Sequence, residues 1–364
     1  MASITCSTCR DAAAALLVSL FALAVSPAHA ITFQDLYRPT VMPEPGAPST
    51  RAAAEQAAMG QLLERVTGNR GAALEPDLQS MIADAARYVS SYATLDGGRV
   101  QVGFLSSAVN SELQSRGRRI WGPERPLTLI WLAIDSGRGE RTLLGAGASD
   151  TALSPEMAAL TDEIRMQLAD VASERGLPIA LPLLDLQDLS AVSFIDVWGG
   201  YDDRIEQASQ RYAADAILVG RLLVGDVGPT VQWTLLRGGG RAVSASQDVA
   251  EGLQWTADQY AQEFGVVGGV RTLRVIVQDV ESLEDYGRVM SYLDGLSSLQ
   301  SIDVDGVDGD VMTLRVAARG DAGVIERMFS LGRVLEPADP APGFSQTGDS
   351  NSLVFKVARS APRQ

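Results

Sequence analysis

The chain has 364 residues, a net charge of −15, and 46% hydrophobic, 21% charged and 6% aromatic content. That composition excludes a disordered or collagen-like chain and suits about two or three domains with real cores. The acidity opposes nucleic acid and anionic lipid at long range, so no nucleic-acid partner is expected.

The chain opens with a short basic start, Met1 to Arg10, although Asp11 offsets Arg10. Ala12 to Val25 follows without a charge and with Ser19 as its one polar residue. Ala28 and Ala30 then supply the small side chains that signal peptidase accepts at −3 and −1. The pattern predicts a secretory signal peptide over 1–30, cleaved between Ala30 and Ile31, and export to the periplasm. The apolar run is shorter than the ~20 residues that span a bilayer. No cysteine follows the cut, so a lipid anchor is not expected. No later stretch has membrane-spanning length.

The only histidine, His29, and the only cysteines, Cys6 and Cys9, fall inside that segment. A mature chain from Ile31 to Gln364 therefore lacks both residue types. This excludes Ser-His-Asp and Cys-His catalysis, thiol redox chemistry, disulfides, and imidazole or thiolate metal sites. Of the 30 Lys and Arg residues, Lys356 is the single lysine and the other 29 are arginine. No Ser-x-x-Lys pair and no Gly-x-x-x-x-Gly-Lys phosphate loop is present. Carboxylate chemistry, or none, remains. No metal and no cofactor is expected.

After prolines 39, 43, 45 and 48, Ser49 or Thr50 can cap a helix burying Ala58, Met59, Leu62, Leu63 and Val66, which Gly68 stops. A second helix is predicted from Pro76 to about Val89. Val100, Val102 and Phe104 alternate as a strand, and a short helix follows over 107–115. Leu127 to Ile134 is a nearly unbroken apolar run and predicts a buried strand. Ser154, Pro155 and Glu156 open a helix closed by Gly176 and Pro178. Leu181 to Leu184 reads as a strand end and 202–213 as a helix. Ala216 to Val224 reads as a buried strand. A hairpin turns at Gly238-Gly239-Gly240, and a helix follows over 254–264.

From residue 270 the order becomes strand, helix, strand, strand, helix, strand, built on Leu273–Val277, Ser282–Gly295, Ile302–Val304, Met312–Val316, Asp321–Phe329 and Leu353–Val357. This is the ferredoxin-like order. The predicted class is α/β and α+β multidomain: signal peptide 1–30, N-terminal α/β region 31–150, middle α/β module 151–268, and ferredoxin-like domain 269–360.

The segments Leu63–Arg70, Arg87–Tyr92, Trp121–Leu132, Arg175–Leu186, Asp196–Gly199 and Ala208–Leu222 together resemble, in order and spacing, the bacterial domain-of-unknown-function family numbered 2066. The resemblance covers roughly residues 32–335. It implies a secreted envelope protein and brings no catalytic residues. Residues 156–224, with Ala214-Asp215-Ala216-Ile217-Leu218-Val219-Gly220, are also similar to α/β modules of periplasmic envelope-assembly proteins. Those modules belong to proteins near curli secretion, Tol-Pal and penicillin-binding-protein activators.

Gly145-Ala146-Gly147 lacks the third glycine of a dinucleotide fingerprint and reads as a loop. Counted from Asp303, the sixth and twelfth positions of a calcium loop would be Asp308 and Leu314, not Gly and Glu, so an acidic hairpin is expected. Asp185, Asp188, Asp196, Asp202 and Asp203 could serve a glycosidase only as a pair about 5–10 Å apart in a cleft. Solvated loop acids are the plainer reading. Arg116 to Pro126 gathers four arginines and a tryptophan in an acidic protein. Arginine forks bind carboxylate or phosphate and Trp offers a stacking face. Arg118, Arg119, Trp121 and Arg125 are therefore the candidate binding residues. The reading is a periplasmic, non-enzymatic binding or assembly protein whose partner is an envelope protein or an anionic envelope component. A carboxylate-dependent hydrolase of envelope glycans is the alternative.

Overall fold

The computed structural model describes residues 35–42, 51–147, 153–331, 334–339 and 351–359. The expected cleavage site at Ala30 and Ile31, and Cys6, Cys9 and His29, lie outside the described residues. So do Ser49 and Thr50, the candidate caps.

The N-terminal unit comprises β1 (Thr40–Val41), α1 (Arg51–Thr67), α2 (Gln79–Ala83), β2 (Val89–Thr94), β3 (Val100–Phe104) and α3 (Ser106–Ser115). The predicted face of α1 is fully buried and packs with Val102, Val109 and Leu113 in a core of its own. The helix expected from Pro76 to Val89 is shorter. α2 ends at Ala83, a 3-10 turn covers Ala85–Arg87, and Val89–Thr94 is a strand. The pairing of Tyr92 with Val102 and of Val89 with Phe104 outweighs helix propensity there.

The middle unit comprises β4 (Thr128–Asp135), β5 (Arg141–Leu143), α4 (Pro155–Arg175), β6 (Ile179–Ala180), α5 (Leu186–Ala191), α6 (Phe194–Gly199), α7 (Asp202–Ser209), β7 (Ala216–Gly225), β8 (Gly228–Arg237), β9 (Gly240–Ser246) and α8 (Val249–Phe264). Its sheet runs β5-β4-β7-β8-β9, with β6 beside β4. β4 is buried along its whole length because helices cover both faces. Ile130, Leu132 and Ile134 meet α4 and α8, whereas Leu129, Trp131 and Ala133 meet Val192, Val197 and Ile205. Ser154 caps α4 by accepting from the Met157 amide, and Gly176 ends it at φ +65°. β6 covers only two residues, and 181–184 is not a strand.

The C-terminal unit comprises β10 (Val270–Gln278), α9 (Leu283–Asp294), β11 (Leu299–Asp308), β12 (Val311–Arg319), α10 (Ala322–Phe329), β13 (Leu335–Pro337) and β14 (Ser352–Val357). The sheet order is β11-β12-β10-β14-β13. β14 runs parallel to β10, and β13 pairs antiparallel with β14 at the edge. A ferredoxin-like sheet has only antiparallel neighbours, so both the extra strand β13 and the parallel β14 depart from the expected ferredoxin-like domain. The strand entering directly from α10 is displaced outward by β14. The Asp303–Asp310 stretch forms a hairpin whose acids face solvent.

The chain is thus a mixed α/β structure with separate sheets, multidomain in build. β4 and β5 pair within the middle sheet, so the division expected at 150/151 falls inside one unit. The division at 268/269 falls between sheets. One apolar cluster nevertheless runs from Trp121 and α8 to β10, α9 and α10.

Candidate interaction surface

The arginine–tryptophan segment leads inward rather than outward. Trp121 and Arg125 are each 1% exposed, so neither is presented to a ligand in solvent. The Arg125 guanidinium sits over the Trp121 ring, 3.6 Å from its centroid. Its donors reach the main-chain oxygens of Gly122, Arg175, Arg65 and Trp121 at 2.7–3.1 Å. Burial holds its pKa well below the ordinary arginine value, but a guanidinium keeps its proton at neutral pH. Arg118 is half-buried and ion-paired to Glu75 and Asp77. Arg119 is exposed and, among the described residues, reaches only the Ala261 oxygen, at 3.5 Å. The four candidate residues are therefore split: two lie in the interior, one is held by acids, and one is open.

Arg65 and Arg175 complete an internal hub. Arg65 donates to the Glu174 oxygen at 3.0 Å, and Arg175 to the Gly68 oxygen at 2.9 Å and to Asp258 at 2.8 Å. The oxygens of Arg65 and Gly68 lie at the C-terminal end of α1, and those of Glu174 and Arg175 at that of α4. Three buried cations thus satisfy the orphan carbonyls of two helix ends and sit at the negative poles of both dipoles. A planar fork spreads five donors over carbonyls farther apart than the three donors of one ammonium nitrogen reach, which accounts for arginine rather than lysine at these positions.

The clustered aspartates are structural. Asp185 accepts from the Asp188 amide at 3.0 Å as the cap of α5 and pairs with Arg211 at 2.7 Å. The Arg211 guanidinium, with that amide, holds the Asp185 carboxyl well below the usual carboxylate range. Asp188 is buried and accepts from Leu184 N at 2.9 Å, from Arg211 at 3.0 Å and from the Tyr212 hydroxyl. Burial and that bond to Asp188 push the Tyr212 hydroxyl up to about 12. Asp196 forms a capping box with Ser193 and pairs with Arg204 at 2.9 Å; the Ser193 hydroxyl lowers its pKa. Asp202 pairs with Arg241 at 2.9 Å. Two of these acids are therefore buried anchors, not solvated loop acids. A general acid needs a raised pKa. Asp185 and Asp196 are shifted the opposite way by Arg211 and the Ser193 hydroxyl, which is not the setting of a general acid. Among the described residues, no group of three or more His, Cys, Asp or Glu is placed to hold a metal ion.

These anchors leave an apolar face uncovered. α5 and α6 are pinned by their polar caps and by Val192 and Val197, which point into the core. Leu183, Leu186, Leu189, Ile195 and Tyr201 stay exposed, Leu186 at 87% and Ile195 at 69%. Leu186 and Leu189 lie one turn apart on α5 and share a face. Leu183, Leu189 and Phe194 also line a hollow of about 620 Å³ bounded by α4 and β5. Sequence reasoning missed both helices. Their signals were the cap spacings Asp185-x-x-Asp188 and Ser193-x-x-Asp196, with leucine at every third position from 183 to 189.

Residues 30–122 match the family model described as a domain of unknown function, DUF8605. This corrects the resemblance to family 2066: the matching family is a different one and spans only the N-terminal unit. No curated protein matches the chain. Among solved structures, the C-terminal domain of LpoB from Salmonella enterica is 16% identical, covering 38% of this chain and 93% of that one. Its TM-score is 0.21, too low to establish a shared fold. No helix among the described residues is long and apolar enough to cross a membrane.

Proposed function

We propose that the protein is a non-enzymatic binding or assembly factor of the bacterial cell envelope. It is exported to the periplasm behind residues 1–30 and docks a protein partner on the α5–α6 face. The observation that carries this reading is the exposure of Leu186, Leu189 and Ile195 on two helices, and of Leu183 and Tyr201 just before and after them, with the helices anchored by the buried Asp188 and Asp196. Contiguous exposed apolar side chains mark interaction sites, and a pre-organised face loses little entropy on docking. Arg118 and Arg119 stand outside this face. The C-terminal unit reads as a ferredoxin-like order with one inserted strand.

The test is in-cell chemical crosslinking with mass spectrometry, comparing the native chain with a Leu186→Ser/Ile195→Ser variant. The reading expects an unchanged Tm and loss of a discrete heterologous adduct. An adduct that survives the double substitution contradicts it.

A further inference from the structure

A second surface, separate from the α5–α6 face, carries a more specific inference. A cleft of about 670 Å³ opens where α3, residues 117–124, residues 266–270 and the C-terminal sheet meet. Its apolar wall includes Ile120, Val266, Val267, Val270 and Met328.

The charges in it are unequally matched. Arg118 is paired with Glu75 and Asp77. The Glu124 carboxylate is buried and accepts from both the amide and the hydroxyl of Ser297. Arg319, half-buried, has no ion pair or side-chain hydrogen bond among the described residues. It stands opposite Val270 on β10, and its main-chain amide donates to the Ser298 oxygen at 3.2 Å. The Ser298 hydroxyl is buried and also lacks a partner. The amides of Val267, Gly268 and Gly269, which line the same cleft, make no hydrogen bond among the described residues. On the opposite wall Asn110 accepts from the Tyr37 hydroxyl at 2.8 Å through Oδ1, which leaves its NH₂ outside that bond.

The unused groups are therefore mainly donors around one uncompensated guanidinium, beside an apolar wall. We infer that this cleft binds an extended peptide segment bearing a carboxylate, with the carboxylate on Arg319 and apolar neighbours on Ile120, Val266 and Val270. A guanidinium fork takes a carboxylate in bidentate fashion, and free main-chain amides complete such sites. A doubly charged phosphate fits less well, because one free cation cannot match it and Glu124 lies in the same wall. The carboxylate is an acidic side chain or a chain terminus.

Isothermal titration of the full mature chain tests this with four probes: acetyl-Val-Val-Asp-Val-amide, acetyl-Val-Val-Val-Val with a free terminus, the same peptide amidated, and inorganic phosphate. At least one carboxylate peptide should bind about tenfold more tightly than the neutral amide. Which of the two wins identifies the source of the carboxylate. Arg319→Gln should remove that preference and leave Tm unchanged, because the side chain makes no ion pair or hydrogen bond among the described residues. Asn110→Asp, which keeps the acceptor for Tyr37, should weaken the carboxylate peptides alone. Equal binding of neutral and charged peptides, a preference that survives Arg319→Gln, tighter phosphate binding, or no binding of any probe overturns the inference. None of these outcomes bears on the α5–α6 face.

Discussion

Arg125 stacks on Trp121 with its guanidinium 3.6 Å from the ring centroid, and both side chains are withdrawn from solvent. The pair closes the hub that ties α1 to α4. Arg125→Lys keeps the charge but cannot span four carbonyls, so buried acceptors lose their donors. The expected loss is at least about 3 kcal/mol in chemical denaturation. Arg119→Ala, on the surface, should stay within about 0.5 kcal/mol of the native chain. A triple replacement of Arg118, Arg119 and Arg125 should therefore unfold the protein through Arg125 rather than report on binding.

Gly252 on α8 faces the Trp233 indole so closely that a Cβ there would collide with it, and Gly220 on β7 meets the same ring from the paired strand. Trp233 fills the space both glycines leave. Gly252→Ala should cost about 1–3 kcal/mol and alter the tryptophan emission spectrum. An unchanged spectrum and stability would show that the helix can slide to admit a methyl group.

Several carboxylates titrate below their ordinary range: Asp77 through Arg118, Asp135 through the Gly137 amide, Glu140 through the Ser154 hydroxyl, Asp185 through Arg211, and Asp196 through the Ser193 hydroxyl. A lowered folded-state pKa means that the unfolded chain binds more protons. The stabilisation is complete above the unfolded value and disappears as pH falls through the folded one. Glu64, raised by burial, works in the opposite sense. No histidine lies among the described residues. Tm should be level between about pH 6 and 8 and fall below about pH 4. A step in Tm near pH 6.5, the ordinary histidine value, would contradict this account.

What was legible in the sequence was what local chemistry alone determines. The α4 helix showed its cap, its proline and its closing glycine, and β4 showed an apolar run that only a strand covered on both faces explains. β2 was missed because its six residues owe their form to pairing with β3. The parallel placement of β14 was hidden because strand order depends on contacts far apart in the chain. The Arg118–Arg125 segment was correctly singled out as unusual, yet arginine density signals interior carbonyl capping as readily as a surface. The α5–α6 face was missed because its aspartates read as solvated loop acids, although their spacing marks helix caps.

Residues 269–360 should fold alone. The apolar faces of β10, β12 and β14 are covered by α9 and α10, so this sheet carries most of its own core. The link to the rest is an apolar contact with Trp121 and α8 together with a few polar contacts, among them Glu124 with Ser297 and Arg327 with the Glu263 oxygen. The isolated fragment should show a cooperative thermal transition by circular dichroism. A broad, dye-binding collapse would mean that α8 is an indispensable part of this core.

The central claim is that the exposed face of α5–α6 is a docking surface, and site-specific photocrosslinking in intact cells tests it most directly. Benzoylphenylalanine at Leu186 is compared with the same group at Leu283, which is 85% exposed against 87% for Leu186 and lies on α9. The account predicts one discrete adduct with a second polypeptide from position 186, none from 283, and loss of the adduct on Ile195→Asp. Equal labelling from both positions, or none from 186, would contradict it.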